Sequence, residues 1–81
     1  MNQEEIIDLV NEKFKAVNGG LVFEVIKEGV RADQSWWYVP VLVTRNGHDV
    51  PREVTVNIFA NIETEIEEAV NVSVLFIPMV A

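Results

Sequence analysis

The stretch 50-VPREVTVNIFANIETEIEEAV-70 decides how this chain folds, and its first half supports two readings. Val54, Val56 and Ile58 alternate as a strand would after a hairpin. Val54, Ile58, Ile62, Ile66 and Val70 also recur at every fourth position, as on a helix, with Phe59 and Ala69 on the same side. Pro51 suits a first helical position, with Asp49 or Val50 just outside it. Glu53, Glu63, Glu67 and Glu68 avoid the apolar stripe, and Glu65 sits at its edge. These features favour one helix from about Pro51 to Val70.

The segments on either side then read as strands. After the helix, Val72, Val74 and Phe76 alternate with Ser73, Leu75, Ile77 and Met79, so 71-NVSVLFIPMV-80 is a strand with two apolar faces. Before it, 45-RNGHD-49 carries the Asn-Gly signal of a turn. Upstream of that, 35-SWWYVPVLV-43 opens a strand running from about Trp36 to Thr44. A hairpin connection, 30-VRADQS-35, links it to a strand at 21-LVFEVIKEG-29.

The chain opens with a helix from about Gln3 to Val17. Ile6, Val10, Phe14 and Val17 form its apolar stripe, widened by Ile7. Asn2 can cap the first amides. Gln3, Glu4 and Glu5 suit the positive end of the helix dipole, and Lys13 and Lys15 the other end. Asn18-Gly19-Gly20 stops the helix, because glycine takes the left-handed conformation of a helix exit. The order α-β-β-α-β predicts a single α+β domain over residues 1–81. Its simplest packing is a two-layer sandwich: a three-stranded sheet with both helices on one face.

Strand alternation then sorts the two adjacent tryptophans. Trp37, Val39, Val41 and Val43 share a uniformly apolar, mostly β-branched face, which suits the side beneath the helices. Leu21, Phe23, Val25, Val72, Val74 and Phe76 are assigned to that face as well. The helix-free face receives Val22, Ile26, Trp36, Tyr38, Leu42, Leu75, Ile77 and Met79, diluted only by Glu24, Glu28, Thr44 and Ser73. That is more apolar surface than monomers commonly leave in water. Pro40 marks an edge or a bulge.

Composition narrows the function classes. The chain has 81 residues, 49% of them hydrophobic, which argues for a folded domain with a small core. Thirteen acids against six basic residues give a net charge of −7, the wrong sign for nucleic-acid backbones or anionic membranes. There is no cysteine, hence no disulfide, thiolate zinc site or cysteine nucleophile. With no signal-like start and no membrane-length apolar run, the expected setting is the cytoplasm.

No residue pattern specifies chemistry. His48 adjoins Asp49 in a loop, but no nucleophile accompanies the pair. Glu63 and Glu67 stand one helical turn apart, a spacing better read as a solvated face than as a cation site. Arg31, Arg45 and Arg52 flank element ends and, if gathered, could hold a carboxylate or phosphate. The element order resembles that of RNA-binding KH-type domains, but the Gly-x-x-Gly loop between helices is absent and the charge is wrong, so no family is assigned.

No catalytic residue, metal ligand or cofactor is assigned. The expected mode of action is protein association, as a homodimer through the helix-free face with Trp36, Tyr38 and Leu42 at its centre. One alternative is a small-molecule-binding or enzymatic domain whose aromatic face walls a pocket, with Tyr38, His48 and an arginine as polar groups. Another is an acidic inhibitor or adaptor for a basic protein.

Overall fold

The computed structural model describes residues 1–17 and 19–80. Two helices and five strands follow in the order α1 (Gln3–Lys15), β1 (Val22–Val25), β2 (Arg31–Asp33), β3 (Trp36–Arg45), β4 (His48–Asp49), α2 (Arg52–Val70) and β5 (Ser73–Met79). This is an α+β fold. The five strands lie in three ranks. β3 is central, and β1 and β2 pair with it antiparallel, at 41–44 and 36–38 respectively. β5 pairs along 36–42 and so must occupy the opposite side, where β4 adds a short hairpin at 44–45. The β3–β5 pairing is parallel, which requires a crossover, and α2 supplies it.

The expected strand at 21–29 is broken, and Pro40 is the cause. Ile26 donates its N–H to the Pro40 carbonyl at 2.9 Å. In a regular ladder residue 40 would return an N–H to Ile26, but proline has none. The Ile26 carbonyl instead accepts from the Gly29 N–H at 3.0 Å, and Lys27–Gly29 close into a single 3-10 turn. Pairing resumes at Arg31 opposite Tyr38. The connection 30–35 thus contributes a strand, and only Gln34 and Ser35 remain as its turn. Pro40 therefore sits in the central strand, facing a bulge in its neighbour.

Both helices cover one face. The buried side chains of α1 are Ile6, Ile7, Val10 and Phe14. They join Phe59, Ile62 and Ile66 of α2, the β3 valines 39, 41 and 43, and Val74 and Phe76 of β5 in one core cluster. Phe14 stacks on Phe23 at 4.3 Å between ring centroids, and Phe59 and Phe76 complete the aromatic group.

The two helices depart differently from expectation. α1 begins as predicted, with the Asn2 side chain accepting from the Glu5 N–H and the Glu5 carboxylate accepting from the Asn2 N–H, each at 2.9 Å. It ends at Lys15, where Ala16 and Val17 form tighter bonds to Lys13 and Phe14. The glycines beyond have the expected positive φ, and Asn18 lies outside the described residues.

α2 is a helix, but its buried stripe is Thr55, Phe59, Ile62 and Ile66, and Val54 and Val70 are exposed. A run of fourfold steps drifts by ~40° per step, so Val54 to Val70 sweeps roughly 160° and cannot all face one way. The buried set mixes steps of four and three, as a period of 3.6 demands. Thr55 enters the core by returning its hydroxyl to the Pro51 carbonyl at 3.4 Å. Pro51 itself is the cap, one residue before the helix.

The outer edge of β5 is obstructed. Alternation turns the backbone of residues 74, 76 and 78 away from β3. The Glu63 carboxylate of α2 accepts the Phe76 N–H at 2.9 Å, and Pro78 has no N–H to offer.

Candidate functional site

The helix-free face is built on even-numbered positions of β3. Pairing places Arg31 beside Tyr38, Tyr38 beside Leu75, Pro40 beside Ile77 and Leu42 beside Met79. Val22 and Glu24 extend the row from β1. Seven of the eight residues assigned to this face from the sequence thus come from three adjoining strands, and Ile26 follows directly after β1. Trp36 is 43% exposed, Val22 60%, Leu75 41% and Met79 43%. Ile26, Tyr38, Leu42 and Ile77 are half-buried. Trp37 lies on the opposite face, half-buried against the core.

Two features of the face were not anticipated. Pro40 has the right register but is buried. A Cβ built on Gly29 would stand 2.7 Å from the Pro40 Cγ, so the glycine backbone lies directly against the proline ring. Arg31 lies over the Tyr38 ring, with its guanidinium carbon 5.0 Å from the centroid. This charge–ring contact is worth about 0.5–1 kcal/mol where exposed. Its signal was present in 31-RAD-33, had those residues been paired with 36–38 instead of being read as a loop.

Charge is unevenly divided between the layers. α1 carries Glu4, Glu5, Asp8 and Glu12 against two lysines, and α2 carries five glutamates against Arg52. Six of the seven net negative charges therefore belong to the helices. The outward positions of the sheet hold Glu24, Asp33 and Asp49 near its rim, offset by Arg31.

The other singled-out residues do not converge. Arg45 pairs with His48 at the far end of β3 from Tyr38, seven residues or roughly 23 Å along the strand. Arg31 is beside Tyr38, so the three arginines do not gather at one end. Glu63 is engaged by the Phe76 amide, while Glu67 is exposed. Among the described residues there is no group of three or more His, Cys, Asp or Glu side chains placed to hold a metal, and no helix long and apolar enough to cross a membrane. No known protein family, curated protein or solved structure matches the chain.

Proposed function

We propose that this protein acts by association, pairing through its helix-free sheet face with a second copy of itself. The observation that carries this reading is the division of the surface: a contiguous apolar, aromatic-centred face opposite a strongly acidic helix layer. The exposed apolar side chains of this face, Val22, Trp36, Leu75 and Met79, alone offer on the order of 400 Å², against about 800 Å² per partner in a standard interface. Half-buried neighbours and the polar rim supply the remainder. Face-to-face packing of two sheets leaves both acidic helix layers outermost, where water and salt screen them. Such pairing is two-fold, so each patch meets its own copy. We place the assembly in the cytoplasm.

The test is solution mass by light scattering during size-exclusion chromatography, over a concentration series. A dimer that Trp36→Glu converts to a folded monomer supports the reading. A wild-type chain that remains monomeric at high concentration overturns it, and leaves the face for a different protein.

A further inference from the structure

The two edges of the sheet are unlike, and the difference points to a second binding site. β5 is obstructed by Glu63 and Pro78, whereas among the described residues β1 pairs only with β3. Ile26 bonds toward β3, so alternation turns Val22 and Glu24 the same way and leaves the N–H and C=O of Phe23 and Val25 facing outward. Open edges of this kind are templates for another strand.

This edge opens into a groove of about 830 Å³ between α1 and β1. Phe14, Leu21 and Phe23 form its apolar floor. Its wall is a helical stripe of Asp8, Asn11, Glu12 and Lys15, in which two acids outweigh one base.

We propose that the groove binds an extended basic peptide of another protein, added as a further strand beside β1. Main-chain bonds to Phe23 and Val25 would supply register, and side chains would alternate between the two faces. Those on the helix side meet the phenylalanine floor first and Asp8 and Glu12 beyond it. Lysine and arginine suit both, with an apolar stem over the rings and a cationic head at the carboxylates. Side chains on the other side continue the apolar row of Val22 and Ile26. The favoured sequence therefore alternates basic and apolar residues over four or so positions, the length of β1. A second copy is the poorer occupant, since it brings the same acid-rich stripe and its own charge of −7. The outward main-chain groups of Phe23 and Val25 and the groove beneath α1 lie off the helix-free face, so the proposal does not rest on pairing of those faces.

The experiment is selection from a random heptapeptide display library on the immobilised protein. Enriched peptides would then be synthesised, and their affinity and the hydrogen exchange of the Phe23 and Val25 amides measured. The expected result is a consensus alternating Lys or Arg with apolar residues. Exchange at both amides should slow at least tenfold. Affinity should fall at least tenfold in Glu12→Lys, an exposed substitution that leaves the core untouched, and vanish when alternate peptide nitrogens are methylated. An acidic consensus, no enrichment at all, or binders that leave both amides unprotected would overturn the proposal.

Discussion

Trp36 and Trp37 are neighbours in sequence and opposites in placement, because a strand turns successive side chains to different faces. Trp37→Ala removes half-buried volume from the core margin and should cost about 2–3 kcal/mol, below the 3–5 kcal/mol of a fully buried aromatic. Trp36→Ala should leave denaturant stability of the isolated subunit within about 0.5 kcal/mol while weakening assembly. Denaturation and light scattering on both variants check the pair, and indistinguishable effects would refute the facial assignment. Gln34 presents a different case. It holds φ at +57° in the two-residue turn between β2 and β3, a region that disfavours side chains by about 1–2 kcal/mol. Gln34→Gly relieves this at some entropic cost and should raise stability by roughly 0.5–1 kcal/mol in a urea melt. At residue scale the sequence was informative where alternation applied, as for the tryptophans. It was silent where a turn held an ordinary residue at positive φ, as at Gln34.

At the level of elements, the break after Ile26 and the proline opposite it form one unit. Gly29→Ala places a methyl against the Pro40 ring and should destabilise by about 1–3 kcal/mol. Replacing the ring should relieve that clash, so Pro40→Ala combined with Gly29→Ala should be less destabilised than the sum of the single variants. A double-mutant cycle in denaturant reads this coupling directly. The β5 edge is a second such unit. Glu63→Ala strips the Phe76 amide of its carboxylate and should cost about 1–2 kcal/mol, with more aggregation on heating, while Glu63→Gln keeps an acceptor and should lose less. Both devices rest on one contact between particular residues of neighbouring elements, which no periodic pattern marks, and so they were not legible there. Pro40 announced an edge or a bulge, but its strand is central and the bulge falls on the partner strand. The periodicity of 50–70 correctly specified a helix, yet its fourfold run pointed to the wrong rotation, and only packing selected Thr55 over Val54.

For the whole molecule, the layered division of charge makes a prediction about salt. If assembly buries the apolar face and leaves the acidic helices outside, salt screens a repulsion and removes little attraction. Dimer dissociation constants from sedimentation should hold steady or tighten between low and high ionic strength. A complex held by the acidic helices would loosen instead. The two-layer plan and the apolar second face were readable because helix and strand periods assign faces before any contact is known. The pairing of five strands in three ranks was not, since β2 and β4 are too short to announce themselves by pattern.

The unequal edges of the sheet have a consequence for how far association can go. In the language of polymer chemistry, unlimited growth by strand addition needs two reactive ends per unit. With Glu63 and Pro78 closing one side, each subunit is monofunctional along the hydrogen-bonding direction. Edge-to-edge joining then terminates after a single step, and the ladder cannot propagate into a fibre. The glutamate that accepts the Phe76 amide is thus also a chain stopper, and its loss would leave Pro78 as the remaining block on that side.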